Sequence, residues 1–163
     1  MNSVKRIAFA LLLGAFFLSS CEKDNRGNEL SSIITNNGIS MTGAQVVPAN
    51  ASAATGSIDA SYDRKSRILS YKITWTGLTA AITAIHVHGG AGMGYLALVP
   101  PVQVLSGYPT AASGTYSGTL FVDNSVVKQD DLLAGQYYID IHTNNPVYNV
   151  TGEIRGQLSF PNQ

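Results

Sequence analysis

The chain is poor in the residues that build most metal and redox centres. It has one cysteine, Cys21, in 163 residues, which excludes an intrachain disulfide and a thiolate metal cluster. It has three histidines, His86, His88 and His142. Charge is scarce and balanced, with 10 basic and 10 acidic residues. There is no basic run or stripe, so nucleic acid is not an expected partner. The apolar run Ile7 to Leu18 is too short to cross a bilayer as a stable helix. There is no repeat and no long amphipathic helix. No Ser-His-Asp order or paired-carboxylate arrangement supports hydrolysis. The sequence leans away from an enzyme without excluding one.

What the first residues do carry is an export signal over residues 1–21. Lys5 and Arg6 supply the positive start and Ile7 to Leu18 the apolar run. The run ends in Leu18-Ser19-Ser20-Cys21, which resembles a bacterial lipobox. The resemblance implies that Cys21 is lipidated and holds the protein on a membrane without a transmembrane helix. A plain secretory signal with an incidental cysteine is the alternative. Glu22 stands where aspartate is the common retention residue of related systems, so an outer-membrane lipoprotein is expected, facing the periplasm or the cell surface. Cys21-Glu22-Lys23-Asp24-Asn25 resembles the tract after the lipid cysteine in surface-exported lipoproteins of some Gram-negative bacteria; a solvated tether explains it equally. Residues 22–37 are polar and read as a flexible tether. Loss of Lys5 and Arg6 leaves 8 basic against 10 acidic residues, a formal charge of −2.

Residues 38–161 read as one all-β domain. Leu69, Tyr71, Ile73 and Trp75 alternate with Ser70, Lys72, Thr74 and Thr76. Period-2 alternation of this kind marks a strand with one buried face. Similar runs are Ile58-Ala60-Tyr62, Tyr116-Leu120-Val122 with Gly118 in phase, and Val150-Ile154-Leu158 with Gly152 and Gly156 in phase. Segments near 39–47, 83–88, 96–99 and 136–143 bring the total to about eight strands, as in an antiparallel sandwich. Ile85, Val87, Ile139 and Ile141 join the predicted core. The one helical candidate is Ser125 to Ala134, ended by Gly135.

The histidines follow the same periodicity. In Ile85-His86-Val87-His88 the two histidines share a face opposite the core. In Ile139-Asp140-Ile141-His142 the pair Asp140 and His142 does likewise. Three imidazoles with a nearby carboxylate suit copper or zinc by donor type. Asp140, Glu153 and Arg155 are candidates to ligate or to orient the histidines. Hydrogen-bonded surface histidines, and an exposed Glu153–Arg155 pair, are the competing explanation. Gly89-Gly90-Ala91-Gly92-Met93-Gly94 lacks the Lys-Ser/Thr of a phosphate loop and reads as a turn with a mobile rim over His88. Val99-Pro100-Pro101-Val102 reads as an extended loop.

Taken in order, Met41-Thr42-Gly43-Ala44-Gln45-Val46-Val47-Pro48, Gly77-Leu78-Thr79, Ile85-His86-Val87-His88-Gly89, Leu132 to Thr143 and Gly152-Glu153-Ile154-Arg155-Gly156-Gln157-Leu158 resemble the CHRD domain. This module was first described in chordin and is common in bacterial secreted proteins. The resemblance implies a β-sandwich and an extracellular setting, and no particular activity. A more distant resemblance is to copper/zinc superoxide dismutase, a Greek-key sandwich of immunoglobulin-like architecture. Gly77-Leu78-Thr79 followed by His86 and His88 is similar to the stretch that supplies two copper ligands, His142 to the last copper histidine, and Arg155 to the active-site arginine. No histidine lies between Gly89 and Ile141, so the bridging and zinc histidines have no counterpart.

Three functions fit these residues. The first is a lipid-anchored binding or interaction module at the cell envelope, with a protein or envelope ligand and one copper or zinc ion on His86, His88 and His142. The second is a copper-dependent redox enzyme. The third is a structural envelope protein.

Overall fold

The computed structural model describes residues 31–161, so the expected signal segment, Cys21 and most of the expected tether lie outside the described residues. The described chain is nearly all β. Its elements are β1 (Ile33–Thr42), β2 (Thr55–Asp63), β3 (Ile68–Thr76), β4 (Ile82–His88), β5 (Gln103–Val104), β6 (Gly114–Phe121), α1 (Gln129–Leu133), β7 (Tyr138–Thr143) and β8 (Ile154–Gln157). All pairings are antiparallel, in the order β5-β4-β7-β8-β1-β2-β3-β6.

This single sheet is folded over on itself around one core. The half β1-β2-β3-β6 meets the half β5-β4-β7-β8 through one backbone register, Thr42 opposite Arg155. The two outer strands, β5 and β6, are bridged by a side chain: Gln103 Nε2 donates to the Thr119 carbonyl at 2.9 Å. Gln103 Oε1 in turn accepts from the Tyr71 hydroxyl at 2.9 Å. The amide thereby ties an otherwise unpaired edge. Read around the closed structure, β3-β6-β5-β4 has the order of a Greek key.

The residues expected inside are inside. Leu69, Tyr71, Ile73, Trp75, Ile85, Val87, Leu120, Ile139, Ile141 and Ile154 are all buried. Two of the glycines in phase with them are demanded by close packing. A Cβ on Gly118 would strike the Tyr71 ring in the register opposite, and one on Gly156 would strike Met41 and Ile58. The large partners fill the space that the glycines vacate.

Several local expectations are corrected. Ile33 to Asn37, expected as the end of the tether, lie in β1, where Ile33 pairs with Asp63 and Asn36 with Ala60. A bulge between Asn36 and Ile39 breaks the alternation there, which hides the strand from a period-2 search. Residues 96–99 are not a strand. Pro100 and Pro101 have no N–H to give a ladder, and pairing resumes at Gln103–Val104. The helix is shorter than Ser125 to Ala134, because Asp123 Oδ1 accepts from the amides of Ser125, Val126 and Val127 and holds them in a turn. Val150 is exposed, and the last strand begins only at Ile154.

A histidine–aspartate cluster under two loops

β4 and β7 are neighbours in register, with His86 opposite Asp140 and His88 opposite Tyr138. With Ile85, Val87, Ile139 and Ile141 turned into the core, the alternate side chains must stand together on the outer face. The three histidines converge there on Asp140. His142 Nε2 lies 3.4 Å and His86 Nδ1 3.8 Å from Asp140 Oδ1, and His88 Nε2 lies 3.5 Å from Oδ2. The candidate ligand atoms of these four residues all lie within 4.8 Å of one another.

The face is not open to solvent, as alternation alone would suggest. Side-chain exposure is 21% for His86, 14% for His88, 10% for His142 and 6% for Asp140, so the cluster is deepest at the carboxylate and opens towards His86. Two loops cover it. From the segment after β7, the Asn149 carbonyl meets His142 Nδ1 at 3.1 Å, which leaves Nε2 turned towards Asp140. From the segment after β4, the carbonyls of Tyr95 and Gly92 accept from Arg155 at 2.8 and 3.1 Å.

Burial and charge set the protonation of the rings. Burial lowers the pKa of His86 and of His88, outweighing the attraction of Asp140, so both rings favour the neutral form with free lone pairs. Burial also acts against a charged His142. There the facing Asp140 carboxylate and the Asn149 carbonyl offer acceptors to both nitrogens, and its pKa is raised. Even so, His88 Nδ1, His142 Nε2 and Asp140 Oδ1 are buried without a well-formed hydrogen bond. A buried polar atom left in this way costs about 1–3 kcal/mol. A cation at the point of convergence would engage the carboxylate and the imidazoles together.

Arg155 and Glu153 take separate roles. Arg155 is buried, stacks 3.5 Å over the Tyr138 ring and donates to Gln157 Oε1 at 2.6 Å. Gln157 Nε2 then reaches the carbonyls of Ala91, Gly135 and Tyr137. Arg155 and Gln157 therefore fasten down the glycine-rich loop expected as a mobile rim. Glu153 is fully buried and away from the histidines' contacts. Its carboxylate accepts from Ser52 Oγ, Thr79 N, Thr79 Oγ1 and Thr143 Oγ1. It pins the loops at 52 and 79 to β7, and no exposed Glu153–Arg155 pair exists.

Three contributors went unread in the sequence: Tyr138, Gln157 and Asn149. Tyr138 stacks on His88 with centroids 4.9 Å apart and planes 16° apart. Its phase with Asp140 and His142 was a usable signal, as was that of Gln157 with Arg155. Asn149 lies in a loop, where no periodicity could mark it.

Residues 38–158 match the CHRD domain family. The chain belongs to that family. The match spans the domain from the middle of β1 to just past β8, so it includes the four clustered residues and both covering loops. Comparison with curated proteins and with solved structures finds no match. Membership supports a binding or interaction module, and this CHRD domain carries a cluster of three histidines and an aspartate.

Proposed function

We propose that this CHRD domain is a lipid-anchored module of the cell envelope that binds one copper or zinc ion on His86, His88, His142 and Asp140. The carrying observation is the convergence of His86, His88 and His142 on the Asp140 carboxylate, where His142 Nε2 and Asp140 Oδ1 are buried and unpartnered. The donor set fits either ion. In a tetrahedral site with bonds of about 2.0–2.1 Å, neighbouring ligand atoms stand about 3.3–3.4 Å apart. The Asp–His contacts, at 3.4 to 3.8 Å, are close to that edge. The family supports binding in general; the donor chemistry supports a metal ion in particular. When bound, the ion supplies a positive charge that neutralises Asp140 and cross-links β4 to β7. The anchor follows from Leu18-Ser19-Ser20-Cys21 and the expected outer-membrane site from Glu22.

The test is titration of chelator-stripped, untagged protein with Zn(II) and with Cu(II). One saturable site per chain is expected, and it should vanish in His88→Ala. Equal binding by that variant, or none by either protein, would reduce the cluster to a polar patch. Superoxide turnover of the copper-loaded protein separates a redox enzyme from a binding module, and little or none is expected.

A further inference from the structure

We propose that the end of the barrel bearing the β2–β3 turn is a bilayer-contact surface, held by the lipid anchor against the interface of an anionic phospholipid membrane. The evidence is a rim of exposed apolar side chains beside a basic turn, at the end where the tether enters the fold. Ile33, Asp63, Ile68 and Phe121 stand level on the adjacent strands β1, β2, β3 and β6. Ile33 and Phe121 are half exposed. Val126, 66% exposed, shares a surface hollow with Val99, Pro100, Pro101 and Val102. Leu98 beside them is 95% exposed. Exposed apolar side chains gathered at one end suit a contact surface.

The charge on the turn specifies the partner. Arg64, Lys65 and Arg67 lie between β2 and β3, and the Arg67 guanidinium sits 4.9 Å over the Phe121 ring. The Asp63 carboxylate among them is occupied by Lys65 N, Ser66 N and Ser66 Oγ. Asp123 borders the turn, since Val122 N donates to the Arg67 carbonyl at 2.9 Å, and its Oδ1 is engaged by the amides of Ser125, Val126 and Val127; Lys128, Asp130 and Asp131 lie at α1. Cations flanking aliphatic and aromatic tips suit anionic headgroups above acyl chains.

The tether enters the fold at this same end. β1 opens at Ile33, and the Ser32 carbonyl accepts from Arg64 N at 2.8 Å, so the chain enters beside the basic turn. Residues 22–32 can reach at most about 40 Å. An acyl chain on Cys21 therefore joins the bilayer to the fold at this end, and the apolar tips and basic turn there supply the contact.

The proposal rests on the anchor in the proposed function, and its test reads the two separately. With Cys21 acylated the chain has no free thiol, so Leu98→Cys gives a unique labelling site. Ala111→Cys, exposed at the opposite end where the Ala111 carbonyl accepts from Trp75 Nε1, is the control. Each lipidated full chain is labelled with an environment-sensitive fluorophore and reconstituted into phosphatidylcholine–phosphatidylglycerol vesicles. Quenching by lipid-borne quenchers should be several-fold stronger at position 98 than at 111, and Val99→Asp with Val126→Asp should shrink the difference. Equal quenching would overturn the surface. A blue shift at 98 that needs no vesicles and grows with protein concentration would also overturn it, since a second copy then covers the rim. Mass spectrometry decides the anchor: no acyl mass on Cys21 overturns lipidation, while the 98-against-111 contrast on added vesicles still judges the surface.

Discussion

At Tyr138 two contacts meet on one ring. His88 stacks on it from the β4 side, and the Arg155 guanidinium lies over it from the β8 side. β4 and β8 flank β7 on opposite sides, so the three groups form a layered stack. The stack fixes the plane of His88 and holds a cation near the cluster without ligating anything. Burial raises the pKa of the Tyr138 phenol, so the ring meets Arg155 as a neutral π surface. Tyr138→Leu keeps an apolar filler but loses both contacts. It should weaken metal binding about 10–100-fold while the fold survives, a range typical of groups that orient ligands. Titration with circular dichroism checks both halves; unchanged affinity would show that His88 is oriented by other means. The clustered residues themselves were legible because a period of 2 fixes a face. Their burial was not, because the Asn149 carbonyl and the 89–98 loop that cover them come from segments without periodicity.

The elements owe their register to side-chain size as much as to backbone pairing. In β3 and β6 the opposite pair Tyr71 and Gly118 places the bulkiest group against the smallest. The Tyr71 hydroxyl then reaches Gln103 and, through it, Thr119 on β6. Gly118→Val would push Tyr71 out of this position. The expected loss is about 1–3 kcal/mol from overpacking alone. Chemical denaturation measures it, and an unchanged midpoint would mean that the ring moves aside freely. Clean alternation made β3, β4 and β7 readable from sequence. β1 was half hidden by its bulge at Asn36 and Ile39, and β5 by its brevity after Pro100 and Pro101. Neither feature leaves a periodic trace, and each is decided by partners far along the chain.

At the scale of the whole molecule, the fold is one sheet whose outer faces do different work. The β4-β7-β8 face carries the cluster under loops that leave it open at His86, whereas the other end exposes apolar side chains beside the basic β2–β3 turn. The family signatures were readable end to end, since Gly77-Leu78-Thr79 and Gly152-Glu153-Ile154-Arg155-Gly156-Gln157 supply the Thr79–Glu153 pin and the Arg155–Gln157 fastening. Their mechanical role needed coordinates, because the partners are 74 residues apart for Thr79 and Glu153. The central claim is that the four residues hold one ion between β4 and β7. An anomalous difference map from crystals grown with Zn(II), collected on both sides of the zinc absorption edge, measures this most directly. The account predicts one peak per chain within bonding distance, about 2.0–2.2 Å, of His86, His88, His142 and Asp140. A peak elsewhere on the chain, or an empty cluster at saturating zinc and again in a Cu(II) soak, would contradict it.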